Sequence, residues 1–123
     1  LNQTAAKSGD KDTYLMNQRL LAFMSIATYM TISDAIQKGM WDVARYYNQI
    51  YTVIDPTNPD HDYFSACFAA RNKQDDSTFI YLDEAIKLGF VDFNRAEKDS
   101  NFLALKNTAA FSKIISKMKK EAK

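Results

Sequence analysis

The stretch from Gly39 to Phe90 reads GMWDVARYYNQIYTVIDPTNPDHDYFSACFAARNKQDDSTFIYLDEAIKLGF and contains the end of one unit and all of a related one. When the sequence is shifted by 34 residues, the first unit aligns with the second with matched side-chain chemistry. The matched pairs are Tyr29 with Tyr63, Met30 with Phe64, Ala35 with Ala69, Asp42 with Asp76, Tyr47 with Tyr81 and Ile54 with Leu88. A 34-residue period of two amphipathic helices is typical of helical repeat arrays. The sequence therefore predicts an all-α fold.

The composition is that of an ordinary globular protein. The 123 residues are 46% hydrophobic and 25% charged, which is enough for one domain with its own core. A formal net charge of +1 provides no strong field to attract nucleic acid or an anionic membrane. Because of this near-neutral charge, we expect no nucleic-acid partner. The one cysteine, Cys67, has no second cysteine with which to form an intrachain disulfide.

The N-terminal third predicts a flexible leader followed by one long helix. Residues 1–11 are polar and lack periodicity, as flexible termini do. From Tyr14 the apolar positions are dense on nearly every face, which predicts contacts on more than one side. The longest uncharged run, 20–33, is shorter than the roughly 20 apolar residues of a membrane span. It predicts a core helix, ending near Lys38 before Gly39, and no transmembrane segment.

Proline and glycine residues predict where the next three helices begin and end. Each acts through the backbone conformations that it allows or excludes. Asp55-Pro56 ends one helix because the residue before proline avoids the helical region. Asn58 and Pro59 suit the start of the next helix, and Gly89 with Phe90 suits a Schellman ending. The predicted helices are Trp41–Ile54, Pro59–Asn72 and, with an aspartate cap, Asp76–Leu88.

After Phe90 the 34-residue period is lost. Two short segments precede a final amphipathic helix from about Thr108, in which Phe111, Ile114, Ile115 and Met118 follow helical spacing. Because a repeat array exposes its apolar end unless an atypical element covers it, we expect residues 93–123 to form a cap. The single domain is then 12–123, with repeat units 25–58 and 59–92.

The lysines of the last helix complement the helix dipole. The alternative interpretation is that these lysines bind anionic lipid.

These residues resemble the tetratricopeptide (TPR) repeat family, over about residues 25–120. Residues that match its pattern are Gly39, Ala44 and Pro56 in the first unit and Ala66, Ala69, Leu82 and Ala85 in the second. The first unit lacks the usual tryptophan and Leu-Gly pair, and Lys73 replaces the turn glycine of the second. The ending resembles that of short bacterial TPR-like proteins. The resemblance implies a right-handed stack of about two antiparallel helical hairpins, with a long N-terminal helix and a C-terminal capping helix.

The resemblance also implies a function, that of a non-catalytic scaffold holding a partner's peptide or helix in a concave groove. By register, the groove residues are Tyr29, Ser33 and Gln37 in the first unit and Tyr63, Cys67 and Arg71 in the second. The Lys/Asn set with which TPR chaperone adaptors clamp a C-terminal carboxylate is absent from these positions. The alternative is a small-ligand-binding or sensor domain with an apolar pocket between the first helix and the repeats.

Catalysis and metal binding have little support in the sequence. His61 lies between Asp60 and Asp62, but carboxylates in a first helical turn favour the helix dipole, and a zinc site needs further cysteines or histidines. Cys67 has no activating partner at a recognisable spacing. We therefore expect no enzyme, no metal and no cofactor. The start at Leu1 rather than Met suggests a trimmed N-terminus, and with the bacterial likeness it favours an exported or periplasmic protein.

Overall fold

The computed structural model describes the backbone of residues 3–123 and the side chains of residues 9–123. Within that range the chain is all-α and contains no β-strand, which confirms the predicted fold class. The helices are α1 (Gln3–Gln37), α2 (Trp41–Ile54), α3 (Asp60–Arg71), α4 (Asp75–Lys87), α5 (Phe93–Lys98), a 3₁₀ helix (Ser100–Leu105) and α6 (Ala109–Glu121). The predicted bounds of the second to fourth helices hold to within one residue.

Consecutive helices pack as two helical hairpins. Short connections join α1 to α2 and α3 to α4, the two members of each pair pack along each other, and α2 also contacts α3. Burial recurs with the 34-residue period of the sequence. The equivalent buried pairs are Ile32 with Ala66, Ala35 with Ala69, Ala44 with Thr78, and Tyr51 with Ala85. The two hairpins therefore use equivalent positions for their cores.

Both glycines predicted to end helices do so. Gly39 and Gly89 have φ angles of +71° and +104°, in the left-handed region that glycine enters without strain. At the end of α4, the Phe90 N–H donates to the Ala85 carbonyl at 2.9 Å, which is the long hydrogen bond of a Schellman motif. Phe90 is consequently buried against α3 and α4.

The predicted cap residues of α3 and α4 both differ from the structure. At α3 the cap position is held by Pro59 and not by the predicted Asn58, although the Asn58 side-chain oxygen still accepts the Asp60 N–H at 2.9 Å. At α4 the predicted aspartate cap is wrong. Gln74 holds the cap position without a side-chain hydrogen bond, while Asp75 and Asp76 lie inside the first turn. There they still favour the positive end of the helix dipole.

The N-terminal helix differs most from expectation. It begins at Gln3, so the predicted leader is helical from there; Leu1 and Asn2 lie outside the described residues. Good helix formers such as Gln3, Ala5 and Lys7 allow this extension. The helix has 35 residues and is about 52 Å long, whereas α2 has 14 residues. Side chains 9–24 are all exposed, so the prediction of a core helix is wrong for this half.

The same helix meets the simplest criterion for a membrane span. Over Gly9–Gln37 it is long and apolar enough to cross a membrane, by length and composition alone. Signal sequences and the core helices of soluble proteins meet the same criterion. Its C-terminal part is in the core, since Ile32 and Ala35 are buried.

The core consists of two apolar clusters on either side of α3. One joins α1, α2 and α3 and contains Ile32, Ala35, Ala44, Tyr51, Phe64 and Phe68. The other joins α3 and α4 to the C-terminal segment. There α6 contributes Phe111, Ile115 and Met118, the stripe that the sequence predicts. The Thr108 hydroxyl accepts the Phe111 N–H at 3.2 Å and so caps α6.

Candidate functional site

A groove of about 630 Å³ lies in the described part of the chain. Its walls are the C-terminal part of α1, the start of α2, the length of α3, and the segment that runs from α5 into the 3₁₀ helix. The groove is lined by Tyr29, Ser33, Ile36, Gln37, Gly39, Trp41, Tyr63, Phe64, Cys67, Arg71, Arg95, Asp99, Ser100 and Asn101. The first helices of both hairpins, α1 and α3, thus face one concave surface.

All six sequence-predicted groove residues lie along this surface. Tyr29, Ser33 and Gln37 come from successive turns of α1, and Tyr63, Cys67 and Arg71 come from successive turns of α3. The Tyr63 and Cys67 side chains are 1% and 2% exposed. These two therefore form the floor of the groove, and the other four are the ones a ligand reaches. The binding role of all six stays a prediction.

Tyr63 is fixed at the centre of the floor by two rings and a carboxylate. Its ring stacks on Phe90 at a centroid distance of 4.5 Å and meets Phe102 edge-on at 5.7 Å. Its hydroxyl donates to Asp99 Oδ2 at 2.7 Å. Burial, followed by the nearby Cys67 and Asp99, raises the pKa of the Tyr63 phenol far above its usual range. The phenol therefore stays protonated and acts as a fixed hydrogen-bond donor.

Asp99 ties the C-terminal segment to the groove floor. Its Oδ1 accepts both the backbone N–H and the side-chain amide of Asn101 at 2.9 Å. Its Oδ2 accepts from Tyr63, and the Cys67 sulfur lies 3.7 Å away. Burial, reinforced by the negative charge of Asp99, raises the pKa of Cys67 well above its usual range. Since the thiolate is the reactive form, Cys67 is a buried thiol without nucleophilic character.

Arg95 closes one end of the groove over a cluster of rings. Its guanidinium carbon lies 4.3 Å from the ring centre of Tyr63, 5.6 Å from that of Tyr29 and 5.7 Å from that of Phe64. The guanidinium is also paired with Asp60 Oδ1 at 3.1 Å. Cation–π contact with several rings and a partly buried ion pair hold this side chain in place. Its charge is therefore already neutralised within the fold.

Arg71, at the other end of the groove, has different surroundings from those of Arg95. Its guanidinium carbon lies 4.4 Å above the Trp41 ring, and Trp41 in turn meets Phe68 edge-on at 6.1 Å. Arg71 is exposed, and it makes no ion pair with any residue in the range 9–123. Stacking on the indole holds the guanidinium plane in position while its N–H donors face solvent. This end of the groove therefore presents a free, oriented cation.

The sequence missed the contribution of the C-terminal segment. Arg95, Asp99, Ser100 and Asn101 line the groove, although they follow the point where the repeat period is lost. The only local signal is Asp99-Ser100-Asn101, a pattern that favours a turn in which the aspartate accepts backbone N–H groups. That signal predicts the turn but not the surface on which it lies.

His61 does not belong to the groove, and it contacts the connection between the hairpins. It is buried, with Nε2 2.9 Å from the Pro56 carbonyl oxygen and Nδ1 3.5 Å from Asp62 Oδ1. Among residues 9–123, no group of three or more His, Cys, Asp or Glu side chains is arranged to hold a metal ion. The neighbouring Asp60 pairs with Arg95. This histidine therefore has a structural explanation in the turn between α2 and α3.

Comparison of the sequence with protein-family models and with curated proteins, and of the fold with solved structures, gave no match.

Proposed function

We propose that the chain is a non-catalytic interaction module of the TPR type, a right-handed stack of two helical hairpins that binds a peptide or helix of another protein in the groove. One observation carries the proposal: the first helices of both hairpins, α1 and α3, line the same concave surface. The 34-residue recurrence of buried positions supports the repeat assignment.

The chemistry of the accessible wall fits a polypeptide segment. Tyr29 and Trp41 are partly exposed, and tyrosine, tryptophan and arginine are the residue types that contribute most to protein-binding energy. Ser33 and Gln37 on α1 and Asn101 on the opposite wall are placed to hydrogen-bond with a peptide backbone. Because the floor is fixed by Tyr63 and its partners, little ordering is needed on binding, which favours affinity.

The small-ligand alternative has one observation in its favour. The groove volume falls within the roughly 300–1,000 Å³ typical of ligand pockets. However, that alternative expects an apolar pocket, and Arg71, Gln37, Ser33 and Asn101 make this groove largely polar. A thermal-shift panel of metabolites tests it: a shift that disappears in Arg71→Ala, without any peptide binding, would favour a sensor domain.

Selection from a displayed random-peptide library tests the main proposal. The wild-type chain is expected to enrich related sequences, and the enriched peptide should bind at least tenfold more weakly to Tyr29→Ala/Arg71→Ala, a loss of about 1.4 kcal/mol or more. The matched control is Tyr46→Ala/Lys113→Ala, at exposed positions of α2 and α6 outside the groove, which should bind as the wild type does. The proposal fails if nothing is enriched, or if both double variants bind equally well.

The choice of groove substitutions follows from burial. Tyr63→Ala would remove a ring that is 1% exposed and packed on Phe90 and Phe102. It would therefore lower the free energy of unfolding by about 3–5 kcal/mol, the usual effect of truncating a large buried aromatic side chain. Arg71 is exposed and Tyr29 is partly buried against the first core cluster, so their truncation changes the groove wall and keeps the floor residues Tyr63 and Cys67.

A further inference from the structure

The exposed half of α1 carries one continuous apolar stripe, formed by Met16, Leu20, Phe23, Ala27 and Met30. The steps between these residues are four, three, four and three. This is the heptad spacing that keeps one seam of a helix facing a partner helix. The next heptad position is Asp34, whose carboxylate pairs with Lys38 at 3.0 Å. The apolar seam therefore has a defined end.

Four of the five seam residues are exposed, and Ala27 is partly buried. Met16, Leu20, Phe23 and Met30 are between 55% and 69% exposed. At 100° per residue, the centre of the seam lies about 160° around α1 from Ile32 and about 100° from Ala35, both of which are buried in the core of the first hairpin. Side chains this apolar and this exposed, aligned over four turns, mark an interaction surface.

A lipid bilayer fits this helix poorly. Ile32 and Ala35 are committed to the protein core, so they are not available to a membrane. The remaining apolar part, from Tyr14 to Met30, has 17 residues and contains Arg19 about a third of the way along. A bilayer needs about 20 apolar residues, and a charge within a membrane span is unfavourable. A helical partner needs only the one seam.

We propose that α1 pairs with α1 of a second copy of this chain through this seam. A stripe of this length and exposure would bury on the order of 600 Å² from each chain, roughly 1,200 Å² in all, which reaches the lower range of stable interfaces. Arg19 is the one charged residue between Met16 and Met30, and it lies about 60° around α1 from the centre of the seam, so two copies meet along an uncharged seam. A two-fold pairing needs only one self-complementary surface, and the heptad seam provides it.

Sedimentation velocity on the full chain, from low to high micromolar concentration, tests the proposal. The expected result is a species of twice the 14.1 kDa chain mass that dissociates on dilution. Leu20→Glu/Phe23→Glu should be monomeric throughout. The matched control, Val53→Glu/Ile80→Glu, places two charges at exposed apolar positions of α2 and α4 and should still dimerise. All four sites are exposed, and circular dichroism checks that each variant stays folded.

Three results would overturn the pairing. A wild-type chain that is monomeric at every concentration excludes it, and a dimer that survives Leu20→Glu/Phe23→Glu places the interface elsewhere. Monomeric chain that instead sediments with phosphatidylcholine–phosphatidylglycerol vesicles, and loses this on the same double substitution, assigns the seam to lipid. Peptide binding in the groove is a separate measurement, because Tyr29 lies about 140° around α1 from the seam.

Discussion

Lys73 lies 34 residues after Gly39 and adopts the same left-handed backbone conformation, with a φ of +58° against +71°. In both places the helix closes with the long hydrogen bond of a Schellman motif. The Gln74 N–H donates to the Ala69 carbonyl at 2.9 Å, and the equivalent bond after Gly39 is 2.8 Å. The turn geometry of the first hairpin therefore recurs in the second, although the second has a residue with a side chain at the strained position.

Replacing Lys73 by glycine should stabilise the protein. An L-residue in the left-handed region is strained by roughly 1–2 kcal/mol, and glycine offsets part of that gain by its larger unfolded-state entropy. We expect Lys73→Gly to raise the free energy of unfolding by about 0.5–1 kcal/mol, measured by urea denaturation. Lys73→Ala keeps the strain and should change little.

The reverse substitution provides the matching test at the first hairpin. A Cβ added at Gly39 meets no atom within 4 Å, so Gly39→Ala changes the backbone strain and adds no clash. It should lower the free energy of unfolding by about 1 kcal/mol. If Gly39→Ala were neutral and Lys73→Gly destabilising, the two turns would not share the conformation described above.

The Tyr63–Asp99 hydrogen bond should stabilise the junction between the groove floor and the C-terminal segment. Tyr63→Phe removes only the hydroxyl. Because hydrogen bonds to charged groups contribute about 1.5–3 kcal/mol and Asp99 keeps the two donors of Asn101, we expect a loss near the lower figure. Urea denaturation measures it, with Tyr46→Phe at an exposed position as the control. Equal stability of the two variants would contradict this role for Asp99.

Alkaline pH should destabilise the fold through Tyr51. Burial, followed by the negative charge of Asp60, raises the pKa of Tyr51 from its ordinary value of 10.0 to about 12. Between these values the unfolded state loses the proton and the folded state keeps it, so the free energy of unfolding falls as the pH rises from 10 to 12. Tyr51→Phe should show an alkaline loss smaller by about 1–2 kcal/mol. Parallel pH profiles for the two proteins would argue against a buried, protonated Tyr51.

The sequence was sufficient for the helices because their ends depend on local chemistry. Gly39, Asp55-Pro56, Asn58-Pro59 and Gly89 act through their own backbone preferences, so the bounds of α2, α3 and α4 follow from them. The groove positions Tyr29 and Tyr63 follow from the register of the repeat. These inferences need no knowledge of distant contacts.

Side-chain exposure and the final composition of the groove depend on contacts between residues far apart in the sequence, and the sequence did not predict them correctly. Periodicity shows that Leu20 and Phe23 are apolar positions of a helix, but it does not show whether α2 is long enough to cover them. The repeat register places Tyr63 on the groove side, yet Phe90, Phe102 and Asp99 turn it into a buried floor. Arg95 reaches the groove because the chain after α4 returns to α3, where the 3₁₀ helix packs and Arg95 pairs with Asp60. No local signal in the sequence carries that information.

We propose that the concave surface between α1, α3 and the Arg95–Asn101 segment holds a polypeptide partner. Amide chemical-shift mapping of the labelled chain, titrated with a library-selected peptide, tests this most directly. The largest shifts are expected at residues 29–41, 63–71 and 95–101, and they should be lost in Tyr29→Ala/Arg71→Ala. Shifts confined to α6, to the exposed half of α1 or to the outer face of α2 and α4 would contradict it.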